Sequence, residues 1–189
     1  SYAEQQNIPF HSDLTGSYQK KNIRTVVAAL EHLHLGLEDE IVQKGLLNVK
    51  EATQLMGRWQ KIRTTPEVIL DVAHNKEGLT LVAKQIKTLS YGKLHLVMGF
   101  VQGREVQDLL SLFPSSATFY LSSPNLERAL PLTQLKEELV NSPLLIQYFQ
   151  QVPLAYQAAI EEAAPEDLIF VGGSTFVVAE VLEYEKTTL

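Results

Sequence analysis

A carboxylate and an imidazole stand three residues apart in Asp71-Val72-Ala73-His74-Asn75. At a strand-to-helix turn that spacing presents both side chains to one pocket, for proton transfer or for holding a charged ligand, with Asn75 capping the next helix. The same residues can equally serve as backbone caps of the turn, with no ligand at all. Gly172-Gly173-Ser174-Thr175 lets the backbone approach a ligand closely, and a serine at a helix start offers its hydroxyl beside free N–H groups to a carboxylate or phosphate. Serine is also a preferred N-cap for purely structural reasons. Arg58, in Gly57-Arg58-Trp59-Gln60, can grip a phosphate through two parallel hydrogen bonds, or hold a carboxylate across a domain junction, while Trp59 reads as packing. Gln19 and Asn22, one helical turn apart, can bond amide to amide.

Other chemistries lack their residues. With no cysteine, disulfides, thiolate catalysis and thiolate-bound zinc are excluded. A metal at Asp71 and His74, as a hydrolase would need, is the weaker reading, since two ligands are too few. Neither a Gly-x-x-x-x-Gly-Lys-Ser/Thr loop nor a Gly-x-Gly-x-x-Gly following a strand occurs, so these 189 residues carry no triphosphate cradle.

The elements that must position these groups follow from periodicity. Ile23, Val26, Val27, Leu30, Leu33 and Leu37 fall at helical spacing, with Gly36 as the expected stop. A weaker helix is predicted over Glu38–Lys44, and the pattern changes character after Met56. The spacing predicts two domains, 1–56 helical and 57–189 of α/β type. In the second, strands are predicted at Val68–Val72, His95–Phe100, Thr118–Leu121, Ile146–Val152 and Leu168–Gly172, each followed by a helix, the last beginning near Thr175. That rhythm implies a Rossmann-like, mainly parallel sheet with helices on both faces. In such a sheet ligands sit beyond the carboxyl ends of the strands, where Asp71, His74, the Gly99–Arg104 stretch, Ser122–Asn125 and Ser174 all fall.

Composition bounds the partners. A net charge of -6, with 22 acidic and 16 basic residues spread without long runs, gives no footprint for nucleic acid or an anionic membrane. A soluble, cytoplasmic protein is expected, with no membrane or nucleic-acid partner.

Taken in order, Gly16-Ser17-Tyr18-Gln19-Lys20-Lys21-Asn22, Gly57-Arg58-Trp59-Gln60, Asp71-Val72-Ala73-His74-Asn75 and Gly173-Ser174-Thr175-Phe176 resemble the folylpolyglutamate and dihydrofolate synthases, relatives of the Mur ligases. The weaker run from Ser123-Pro124-Asn125 to Arg128-Ala129-Leu130-Pro131 looks similar too. The resemblance covers nearly the whole chain and implies an ATP-dependent ligase joining L-glutamate to a folate or dihydropteroate carboxylate through an acyl phosphate. It implies that residues 1–56 are the helical tail of an ATP-binding domain and that 57–189 form the C-terminal ligase domain. By motif, Asn22 would contact the adenine, Arg58 the phosphates and Asp71 the nucleotide sugar. His74, the catalytic candidate, would hold the incoming glutamate together with Ser174. ATP and Mg2+ are the implied cofactors, with the metal ligands expected outside this chain, which is expected to be monomeric and inactive alone. Val72 stands where the family usually has glycine, and Gln102-Gly103-Arg104 replaces the acidic and lysine residues common there. A stand-alone Rossmann-like module that senses a nucleotide or docks a partner is the competing reading.

Overall fold

The computed structural model describes residues 10–188, and the chain divides after Gln60 into two compact units. The first unit holds α1 (Gln19–His32), α2 (Asp39–Leu47) and α3 (Val49–Thr53). Helix α1 stops at His32, short of Gly36, because His34 takes a left-handed conformation (φ 51°) and turns the chain first. The apolar stripe of α1 therefore loses Leu37, and Val26, Leu33 and Leu37 stay exposed. Helix α2 runs through Gly45 to Leu47, past the expected end at Lys44.

The second unit is one six-stranded sheet: β1 (Gln60–Thr64), β2 (Glu67–Leu70), β3 (Leu94–Met98), β4 (Thr118–Ser122), β5 (Leu145–Phe149) and β6 (Leu168–Gly172), in the order β1-β2-β6-β3-β4-β5. Strands β2, β6, β3, β4 and β5 are all parallel, with Leu70 opposite Val171 and Met98 opposite Gly172. The apolar runs are near-continuous, as strands covered on both faces require. Between the strands lie α4 (Lys76–Ile86), α5 (Val106–Leu110), α6 (Leu132–Glu138), α7 (Val152–Glu162) and, after β6, α8 (Thr175–Thr188).

Alternation along the strands divides the core. Val68, Leu70, Val97, Tyr120, Ile169 and Val171 pack against Val152, Ala155, Tyr156 and Ala159 of α7 and Val177, Val178 and Val181 of α8. The intervening residues, such as Ile69, Leu96, Phe119 and Phe170, face the other side with α4, α5 and α6. In α4 the local logic is plain: Leu79, Val82, Ala83 and Ile86 form one buried stripe, and the Asn75 side chain accepts a 2.8 Å hydrogen bond from the Gly78 N–H. Full burial of each large aliphatic side chain contributes about 1.5–3 kcal/mol.

Four strand ends differ from expectation: β3 stops at Met98, short of Phe100, β4 runs on to Ser122, and β5 and β2 both end early. Strand β5 ends at Phe149, before the expected Val152, because Pro153 in the first turn begins α7 there. Strand β2 ends at Leu70, which puts Asp71 and Val72 in the loop. No helix among the described residues is long and apolar enough to cross a membrane.

Candidate functional site

Right-handed crossovers moving one way across the sheet place α4, α5 and α6 on one face, and the return from β5 to β6 places α7 on the other. Strands β2 and β6 are neighbours, yet the chain leaves β2 toward α4 and leaves β6 toward α8, on opposite faces. The chain thus departs to opposite faces from adjacent strand ends, the switch point at whose crevice open α/β sheets bind ligands. On its other side β6 adjoins β3, whose loop also leaves toward the α4 face.

Three loops meet at this crevice. The Asp71 N–H donates to Val171 O over 3.0 Å, and the Gly173 N–H donates to Ala73 O over 3.1 Å. Gly173 has φ +82°, and a Cβ there would stand 2.9 Å from Gly99 O, so only glycine lets the β6 loop lie against the β3 loop. Asp71, His74 and Ser174 thus stand on one rim.

Asp71 is 1% exposed, and its Oδ1 accepts a 2.9 Å hydrogen bond from Ala73 N–H, so the carboxylate also shapes the turn. His74 is exposed, and its Nδ1 lies 3.1 Å from Val72 O. A carbonyl only accepts, so Nδ1 carries the proton in this contact, and Nε2 is the ring nitrogen it does not engage. Ser174 is 3% exposed, and its Oγ accepts from Phe176 N–H at 3.2 Å, capping the first turn of α8 at the edge of the crevice.

The loop after β4 joins the same rim. Val101 and Ala129 form an antiparallel bridge, Gln102 N–H donates to Arg128 O and Leu130 N–H to Phe100 O. Arg128 lies over the Phe176 ring, 6.0 Å from its centroid. Sequence reasoning gave this cation no role because the aromatic that holds it lies on a different element. Arg104, in the β3 loop, is half-buried.

Asn22 and Arg58 belong to the first unit. Asn22 is exposed and its Nδ2 donates to Gln19 Oε1 over 2.8 Å, the amide pair expected from their spacing. Arg58 is half-buried, between Gly57 (φ 66°) and Trp59 (φ 51°), and Trp59 is 7% exposed, as packing requires. Among the described residues no three His, Asp or Glu side chains come together as a metal site, and His74 and Asp71 gain no third ligand.

A buried polar network lies at the opposite edge of the sheet. Both ring nitrogens of buried His95 face acceptor oxygens, Nδ1 that of Tyr120 at 2.8 Å and Nε2 that of Asp167 at 3.2 Å. Tyr120 donates to Glu162 over 2.9 Å, and burial with that carboxylate pushes its hydroxyl well up. Burial pushes Asp167 upward, but hydrogen bonds from Lys93 and Ala164 N–H groups and from His95 outweigh it and hold the carboxyl below its ordinary range. This network ties β3, β4 and α7 together on the far side from the crevice.

The family model for the Mur ligase, glutamate ligase domain, matches residues 57–175. The dihydrofolate synthase/folylpolyglutamate synthase of Escherichia coli (strain K12) is 30% identical over 165 residues, covering 86% of this chain and 37% of its own length. The solved structure of E. coli FolC in complex with ADP superposes with a TM-score of 0.76 at 29% identity, covering 88% of this chain and 39% of that one. A bifunctional folylpolyglutamate synthase/dihydrofolate synthase with Mn, AMPPNP and L-glutamate bound superposes at 0.79 with 25% identity, covering 96% and 42%. The chain spans well under half the length of the relatives it matches.

Proposed function

The chain belongs to the Mur ligase family through its glutamate ligase domain, and from that premise we propose that its crevice binds L-glutamate for ATP-dependent ligation to a folate or dihydropteroate carboxylate. The observation that carries this reading is the stapling of the β2 and β6 loops, Gly173 N–H to Ala73 O, which brings His74 and Ser174 to one rim. The bound nucleotide, metal and L-glutamate of the solved relative support the same chemistry.

In the proposed reaction ATP gives its γ-phosphoryl group to a carboxylate oxygen, leaving ADP and an acyl phosphate. The glutamate amino nitrogen then attacks the acyl carbon, the C–N bond forms, phosphate leaves, and the amine gives up a proton. Such steps gain chiefly from positioning and charge stabilisation. In this chain Ser174 Oγ and the α8 N-terminus would hold a glutamate carboxylate. His74, with Nδ1 fixed by Val72 O, would present Nε2 to the amino acid as the catalytic candidate. Arg128 adds a cation suited to an acidic amino acid. Asp71 would meet the nucleotide sugar, Asn22 the adenine and Arg58 the phosphates. Mg2+ is the expected metal, with its ligands outside this chain; among the described residues no three His, Asp or Glu side chains cluster to hold it.

The two-domain reading is part of the same proposal: residues 1–56 as a helical piece of a nucleotide-binding domain and 57–189 as the ligase domain. The exposed apolar side chains Val26, Leu33 and Leu37 support it, since such a stripe is usually covered by further protein. Calorimetric titration of the 189-residue chain with L-glutamate tests the site. Saturable binding that weakens at least about tenfold in both His74→Ala and Ser174→Ala is expected. Binding that is indifferent to both substitutions would refute the assignment.

A further inference from the structure

The loop after β4 is held at two points by a single edge of α8. Phe176 and Glu180 are four residues apart on that helix, so their side chains stand one above the other on the same face. Glu180 Oε1 accepts a 2.7 Å hydrogen bond from the Asn125 backbone N–H, and Phe176 lies beneath the Arg128 guanidinium at 6.0 Å. The gripped positions, Asn125 and Arg128, are themselves three residues apart. One helix edge thus contacts both ends of the segment that carries the cation.

We infer that Phe176 and Glu180 are positioning residues that clamp Arg128 onto the rim beside Ser174, so that the loop after β4 and the start of α8 act as one recognition surface. The inference rests on the glutamate reading of this crevice and deepens it by naming what fixes the cation.

Three physical points support the clamp. A carboxylate accepting from a backbone N–H makes a charge-assisted bond, shorter and stronger than a neutral one, and 2.7 Å is at the short end of that range. A guanidinium held by an aromatic face keeps N–H groups for an anion, where a carboxylate partner would have consumed them. The same loop is also tied to the β3 loop by the Val101–Ala129 bridge and by Leu130 N–H to Phe100 O, so it is held from α8 and from β3 together. Ser174, two residues before Phe176, caps the same helix, which makes the spacing between hydroxyl and guanidinium a property of α8.

The test uses the full 189-residue chain with Glu180→Leu, Glu180→Gln and Phe176→Leu variants. Amide exchange at Asn125 and the Arg128 Nε–H resonance read the clamp without ligand, and titration with L-glutamate reads its consequence. Glu180→Leu is expected to speed Asn125 exchange about tenfold and to raise the glutamate dissociation constant about tenfold, with the melting temperature lowered by only a few degrees. Glu180→Gln keeps an acceptor oxygen and is expected to restore most of both. Phe176→Leu is expected to abolish the ring-current shift of the Arg128 Nε–H while leaving Asn125 protected. Unchanged Asn125 exchange in Glu180→Leu overturns the clamp, and a lost clamp with unaltered glutamate affinity overturns its positioning role. A parent chain that binds no glutamate, with Asn125 protection still dependent on Glu180, sinks the glutamate reading and the positioning role with it, and leaves only a structural tether.

Discussion

The Gly173 N–H donates to the Ala73 carbonyl over 3.1 Å, and this one bond joins the loop that carries Asp71 and His74 to the loop that carries Ser174. The two loops are far apart in the chain, and the parallel pairing of β2 with β6 makes them neighbours in space. The proposed glutamate site depends on that juncture.

Gly173→Ala tests the juncture. At φ +82° an L side chain is strained, and its Cβ would stand 2.9 Å from Gly99 O, a backbone atom that cannot swing away. The substitution is expected to cost about 1–3 kcal/mol in urea unfolding and to weaken glutamate binding. Unchanged stability would show that the loop contact is looser than described.

Asp71 separates a shaping role from a binding role. Asp71→Asn keeps an oxygen for the Ala73 N–H, whereas Asp71→Ala removes it at a site that is 1% exposed. Asp71→Ala is expected to lose about 1–3 kcal/mol and Asp71→Asn clearly less, by chemical denaturation. Equal losses would mean that the carboxylate's charge, and not the hydrogen bond to Ala73, sustains the turn.

The network at the opposite edge sets an acid limit. Hydrogen bonds from Gln147 and Tyr120 hold Glu162 below its ordinary 4.5, and Asp167 lies below its ordinary 3.8 although burial alone would raise it. Both bind their proton less tightly folded than unfolded, so their stabilisation is present above the unfolded values and is lost as pH falls through the folded ones. Glu162 is exposed, and solvent screening reduces its share. Unfolding free energy is expected to drop below about pH 4.5, with a shallower slope in Asp167→Asn. The same slope in parent and variant would remove Asp167 from the explanation.

The 189 residues contain no Gly-x-x-x-x-Gly-Lys-Ser/Thr loop, the motif that cradles the phosphates in P-loop enzymes. A coupled assay with ATP, L-glutamate and dihydropteroate is expected to show no turnover by this chain alone. Measurable ATP- and glutamate-dependent turnover would overturn that expectation.

Much of the second unit was legible because buried parallel strands leave near-continuous apolar runs, as in Leu168–Gly172 and Leu94–Met98. Strand β1 escaped because Gln60-Lys61-Ile62-Arg63-Thr64 is an edge strand with a polar composition and no such run. Pro153 was the available signal that a helix starts at Val152. Asp71, His74 and Ser174 were legible as strand-end residues, since the rule for open α/β sheets needs only strand polarity. Glu180 and Arg128 were not, because their partners Asn125 and Phe176 lie across the fold, and periodicity carries no record of such pairing.

The most direct measurement is of intermolecular nuclear Overhauser effects between L-glutamate and the labelled 189-residue chain. The expected result is contact from one bound glutamate to both the His74 ring and the Ser174 β-protons. Contacts to only one of these residues, or to a different face of the sheet, would contradict the claim that the two loops form a single amino-acid site.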